Sequence, residues 1–132
     1  MKIRMVNDQP QVWDPIRKKY LQFTPEENVR QWVIQTLVSA GYPLSRIGAE
    51  KQFALYERKK RFDLCVFLPD GSPFLLIECK AAEIELTEAH LYQVAGYQTK
   101  IQANWFAITN GHQILCINQN GEMLTDAFPL PQ

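Results

Sequence analysis

The sequence predicts an α/β fold of the α+β kind, a mixed sheet with helices packed on its faces. Three observations predict it. Two apolar runs, residues 64–68 and 74–77, flank Pro69-Asp70-Gly71, which has the chemistry of a tight turn, so they read as an antiparallel hairpin. Thr24-Pro25-Glu26-Glu27 opens a stretch of apolar residues at helical spacing. Two later apolar runs, residues 105–109 and 113–117, surround Asn110-Gly111-His112, a further turn signal. The resulting order is helix, three strands, helix and two strands, which implies layers.

Taken in order, residues 7–15 carry two prolines and polar side chains and are expected to loop, with a short extended piece over residues 16–23. Thr24 is then the N-cap, Pro25 the first helical residue and Glu27 the capping-box partner. Val29, Trp32, Val33, Thr36, Leu37 and Ala40 make the buried stripe, and Gly41-Tyr42-Pro43 stops the helix. Residues 47–56 read as a strand and residues 58–60 as a basic turn before the hairpin. Residues 81–86 loop. A second helix starts at Thr87 and runs to about Gln102, with Leu91, Val94, Ala95 and Ile101 inward. Gln93, Tyr97 and Lys100 share another face of it, which looks either into a cleft or into solvent. The Pro-rich tail is expected to end the domain.

The 132 residues suffice for one domain, 1–132, with a conventional core. A hydrophobic content of 46% and a charged content of 21% are those of a soluble globular protein. No apolar run approaches the ~18 residues that span a bilayer, and residues 1–5 are too poor in apolar side chains for a signal peptide. The expected location is the cytoplasm, with no membrane partner. Cys65, Cys79 and Cys116 lie singly in strand-like runs, as reduced core thiols do, so neither a disulfide frame nor zinc is expected. The formal net charge is zero, which excludes a general polyanion binder. Arg17-Lys18-Lys19 and Arg58-Lys59-Lys60-Arg61 are local basic runs, either phosphate contacts or solvated faces. No GxxxxGK[ST] loop is present, so a Walker-type motor is excluded. His90 and His112 read as surface or turn residues.

The hairpin places Asp63 opposite Glu78, with Lys80 two residues further along the same face. Two carboxylates ~4 Å apart repel by roughly 4 kcal/mol at an effective dielectric near 20. Two arrangements relieve this: a salt bridge from Lys80, or a divalent cation. Hard oxygen ligands suit Mg²⁺ or Mn²⁺, and the Cys79 backbone carbonyl is a further oxygen beside them. Glu27 has a structural role as a cap, which does not exclude a chemical one.

Thr24-Pro25-Glu26-Glu27-Asn28-Val29-Arg30-Gln31, Lys60-Arg61-Phe62-Asp63, Glu78-Cys79-Lys80, Gln93 with Tyr97, and Thr109-Asn110-Gly111 follow one another in this order. The set resembles the PD-(D/E)XK nuclease superfamily, and more narrowly the N-terminal nuclease domain of type I restriction enzyme R subunits, over about residues 12–118. Phe62-Asp63 replaces the Pro-Asp of the superfamily pattern. The resemblance implies a restriction-endonuclease-like core and Mg²⁺-dependent endonuclease hydrolysis of DNA. By it, Glu27, Asp63, Glu78 and Lys80 are catalytic, and Asp63, Glu78 and the Cys79 carbonyl hold the metal. Gln93, Tyr97 and Arg61 contact the substrate. The implied partners are DNA and other restriction-system or DNA-processing subunits. Two other functions fit the same residues: a non-catalytic DNA-binding or assembly module, and a purely structural salt-bridge network.

Overall fold

The computed structural model describes the backbone of residues 1–55 and 58–132, and the side chains of these except 50–55, 58–61, 98 and 99. The chain opens with β1 (Ile3–Val6), β2 (Gln9–Asp14) and β3 (Lys19–Gln22), an antiparallel sheet in that order. This corrects the loop expected over residues 7–15. Asn7 and Asp8 turn the first hairpin at φ +50° and +62°, a left-handed conformation these two residue types tolerate. Pro10 is the second residue of β2; its carbonyl accepts from Phe23 N at 3.0 Å, so its missing N–H falls at the end of the ladder.

Helix α1 (Pro25–Ser39) starts as expected, with Thr24 Oγ1 accepting from Glu27 N at 3.1 Å. Its buried residues are Val29, Arg30, Gln31, Val33, Ile34 and Leu37, whereas Ala40 is exposed. Gly41, at φ +104°, ends it. A short 3-10 turn (Leu44–Arg46) leads into β4 (Ile47–Leu55), β5 (Arg58–Phe67) and β6 (Pro73–Cys79). Arg58 therefore begins a strand, not the basic turn expected over residues 58–60. The β5–β6 register is the one the turn position predicts: Leu64 faces Ile77, Cys65 faces Leu76 and Val66 faces Leu75. Helix α2 (Glu88–Ala95) is shorter than expected, because the chain tightens at Gly96 into a 3-10 turn (Gly96–Thr99) instead of continuing to Gln102. His90 closes its capping box: Thr87 Oγ1 accepts from His90 N, and His90 Nδ1 accepts from Thr87 N at 3.1 Å.

β7 (Trp105–Thr109), β8 (Ile114–Asn118) and β9 (Met123–Thr125) complete a sheet ordered β4-β5-β6-β7-β8-β9. β9 adds a third strand after α2 where two are expected. Neighbours are antiparallel except β6 and β7, which run parallel and are linked through α2. Alternate side chains of the central strands feed two cores. Leu64, Val66, Leu75, Ile77, Ala107 and Cys116 pack with α1, while Cys65, Leu76, Phe106, Ile108 and Ile117 pack with Leu91 and Val94 of α2.

Tyr42 anchors the C-terminal segment, its hydroxyl donating to the Pro129 carbonyl. Burial, with the Cys116 thiol nearby, pushes the phenol up to about 12. The folded protein thus holds this proton more tightly than the unfolded chain. The associated stability is complete below about pH 10 and declines as pH rises from there through the folded value. Tyr42→Phe is expected to flatten that alkaline decline in urea midpoints measured against pH.

Candidate active site

The site forms where β5 loses its regular alternation. Phe62 packs on the α2 side against Phe106, yet Leu64 packs on the α1 side, although residues two apart in a regular strand share a face. The phase therefore slips at Asp63. Its Oδ2 accepts from Cys79 N at 2.7 Å, a side-chain oxygen standing where a neighbouring strand's carbonyl would. Beyond this point lies a cleft of about 350 Å³, bounded by Asp63, Cys79 and Lys80 on the sheet side and by Thr24, Glu26, Glu27 and Arg30 at the start of α1.

The helix side is fixed by a chain of charges. Glu27 does not turn back to complete a capping box, because its Oε2 accepts from Arg30 Nη1 at 2.8 Å and from Gln31 Nε2 at 2.9 Å. Arg30 Nη2 reaches Asp14 Oδ2 at 2.8 Å, and Arg17 Nε lies 3.8 Å from the same oxygen. Asp14 and Arg30 are both buried. Burial opposes the Arg30 charge, but Glu27 and Asp14 outweigh it and the guanidinium pKa is raised. The β2 strand is thereby tied to the carboxylate that faces the cleft.

The loop after Lys80 is held by the Thr109-Asn110-Gly111 turn. Lys80 N donates to Thr109 O at 2.8 Å. Asn110 Nδ2 donates to Ile84 O at 2.7 Å, and Gln113 Oε1 accepts from Leu86 N at 3.1 Å. Asn110 Oδ1 in turn accepts from His112 N and Gln113 N. Gly111 sits at φ +90° with the Val29 side chain 3.6 Å from where a Cβ would be, so the turn also seats α1. Asn110→Ala strips the loop of its clamp and leaves backbone groups unpaired. The expected cost is about 1–3 kcal/mol, with faster amide exchange over residues 81–86.

Of the residues singled out in the sequence, Glu27, Asp63, Cys79 and Lys80 meet in this cleft. Glu78 shares the alternate face of β6 with Leu76 and joins the group through Lys80, whose Nζ is 3.3 Å from Glu78 Oε2. All three carboxylates act on one thiol: burial first, then Asp63, Glu27 and Glu78, raise the Cys79 pKa, with Arg30 opposing. Gln93 and Tyr97 do not line the cleft. Gln93 is exposed on α2, and Tyr97 stands edge-on to Phe62 at 6.0 Å in the other core. The Arg61 side chain lies outside the described residues. Asp14 and the ionic role of Arg30 were not read from the sequence. An arginine three residues after Glu27 on a helix is a signal for the second; Asp14 gives none, because Pro10 and Pro15 on either side of it read as a loop.

The donor set is one of hard oxygens and fits Mg²⁺ or Mn²⁺ in kind. Among the described residues, however, no three His, Cys, Asp or Glu side chains are disposed to grip one ion. Lys80 holds Glu78, and Cys79 N holds Asp63, so a cation here competes with bonds already made.

The family described as Type I restriction enzyme R protein N terminus (HSDR_N) matches residues 25–129. The fold is similar to a fragment regarded as the HsdR subunit of a type I restriction enzyme from Vibrio vulnificus YJ016. That likeness has 20% identity and a TM-score of 0.63, over 82% of this chain and 24% of that one, so the chain spans about a quarter of that fragment's length. A DUF820 protein from Anabaena variabilis ATCC 29413, regarded as a nuclease, is similar at 11% identity and a TM-score of 0.55, over 95% of this chain and 83% of that one. The mixed sheet between two helices is thus a restriction-endonuclease-like fold. No curated protein matches the chain. No helix among the described residues is long and apolar enough to cross a membrane.

Proposed function

Since the chain belongs to the family of type I restriction enzyme R protein N-termini, we propose that its nuclease-like domain is an endonuclease hydrolysing DNA phosphodiesters with Mg²⁺ or Mn²⁺. The observation that supports this is the meeting of Glu27, Asp63 and Lys80 in one cleft, with Glu78 on Lys80. Asp63, Glu78 and the Cys79 carbonyl would hold the cation, which when bound supplies an acidified water and a counter-charge for the phosphate oxygens. Lys80 Nζ, partly exposed, donates to a phosphate oxygen and stabilises the charge that grows there. Glu27, fixed by Arg30 and Gln31, orients water at the cleft wall. Gln93 and Tyr97 are candidate DNA contacts outside the cleft, and Arg61 is a candidate DNA contact. Sequence recognition does not follow from such a site, since phosphate contacts position and base contacts specify. Other restriction-system subunits are its proposed partners.

Plasmid DNA incubated with the protein and Mg²⁺ or Mn²⁺ is expected to be cut, and with EDTA left whole; intact plasmid under both conditions refutes the assignment. A second, cheaper measurement is the melting temperature. A genuine cation site stabilises by on the order of 2.7 kcal/mol at a hundredfold excess over the dissociation constant, and EDTA reverses it. The non-catalytic DNA-binding reading is favoured by one observation, the existing Glu78–Lys80 pair. Salt-sensitive DNA binding without cleavage, indifferent to metal, selects it.

A further inference from the structure

We propose that the outward face of the β1–β3 sheet is a platform for the phosphate backbone of nucleic acid, leading it towards the cleft. This sheet precedes residues 25–129, the part that matches the family. Its inward face is fixed by Val12 and Asp14, both fully buried. Alternation and register then put Arg4 of the first strand, Gln11 and Trp13 of the second, and Tyr20 and Gln22 of the third on the outward face, and Lys2, just before the first strand, joins them over Trp13.

The cations there are held flat by the rings. Lys2 Nζ lies over the Trp13 ring at 5.6 Å, and the Arg4 guanidinium over Tyr20 at 3.8 Å. Trp13 and Tyr20 brace one another edge-on at 5.2 Å, and Arg4 Nε donates to Gln11 Oε1 at 2.8 Å. Cations fixed in this way lose little side-chain freedom on meeting phosphates. Lys18, exposed, adds charge at the turn between β2 and β3, whereas Lys19, opposite Asp14, belongs to the other face. Among the described residues no carboxylate pairs with Lys2, Arg4, Lys18 or Lys19.

Charge is concentrated here. Residues 1–23 hold five Lys and Arg against Asp8 and Asp14, an excess of three in a chain whose formal net charge is zero. Asp14 is spent on Arg30, inside. A neutral protein that carries Lys2 and Arg4 on one flat polar and aromatic face, with Lys18 at its turn, is locally complementary to a polyanion, and amide and guanidinium donors beside rings suit a nucleic-acid backbone. The chain joins the face to the site, for Gln22 lies on it and Thr24, two residues on, lines the cleft.

The ligand named is that of the proposed hydrolysis, so the inference rests on that reading, but binding is tested without cleavage. Anisotropy of a labelled DNA duplex in EDTA is measured against salt for wild type, Lys2→Gln/Arg4→Gln, and Arg46→Gln as a control off this sheet. The double variant is expected to bind roughly tenfold more weakly and to lower the log–log salt slope by about 1 per cation removed, while the control changes neither. If Lys2→Gln/Arg4→Gln lowers the melting temperature, Lys18→Gln decides in its place. Unchanged affinity and slope overturn the proposal. So does binding of anionic vesicles or polyglutamate, but not DNA, through these residues. Wild-type protein that binds through this face yet cuts nothing in Mg²⁺ defeats the hydrolase reading alone; protein that cuts while these variants bind normally defeats the platform alone.

Discussion

Asp14→Ala is expected to destabilise the domain by about 3–5 kcal/mol, the cost of removing one partner from a buried ion pair and leaving the other uncompensated. Asp14 has no exposed surface and Arg30 very little. Its loss also releases Ile16 N, which donates to Asp14 Oδ1 at 3.0 Å. Arg30 Nε is buried with no hydrogen-bond partner among the described residues, so its two terminal nitrogens, bonded to Glu27 and Asp14, carry its compensation. Replacing both ends, as in Asp14→Ala/Arg30→Met, is expected to recover part of the loss, because the buried guanidinium goes with its partner while Glu27 keeps its bond from Gln31. Urea midpoints of the single and double variants measure this. A cost under about 1 kcal/mol for Asp14→Ala contradicts the account.

Lys80→Ala is expected to lower the cleavage rate by about 10²–10³-fold, the usual effect of removing one donor aimed at developing charge. Its effect on stability should be small. The Glu78–Lys80 pair is 30% exposed at the lysine and 16% at the glutamate, and pairs open to solvent contribute about 0–1 kcal/mol. Single-turnover cleavage alongside a melting curve separates the two quantities. If activity and melting temperature fall together, Lys80 is structural.

The central hairpin was legible because its register is set locally. One Pro-Asp-Gly turn between two apolar runs leaves a single pairing that buries both, and Leu64 opposite Ile77 follows from it. The helix starts were legible for the same local reason, with Thr24 and Thr87 each capping through a side-chain oxygen. The opening sheet was not, because Pro10 and Pro15 argue against strands wherever a ladder N–H is required. Only the fold shows that Pro10 meets β3 at its last rung. The short α2 has a tertiary cause as well: Ile101 and Ala103 must be buried beside Phe106, which requires the chain to tighten after Ala95. In the site, residue types were readable and directions were not. Strand alternation assumes a regular strand, and β5 departs from regularity at Asp63, so the position of Asp63 beside Cys79 N and the route of Glu78 through Lys80 both needed the fold.

The parallel pairing of β6 with β7 has a consequence for when the site comes into being. Lys80 N is fixed by Thr109 O, and the loop behind it by Asn110, so the cleft needs a segment made some thirty residues later in synthesis. Contacts across such separations form late, after local hairpins and helices. A nascent chain still on the ribosome therefore carries its acidic residues and its lysine without a formed cleft, and any cutting ability arrives only with completion of the domain.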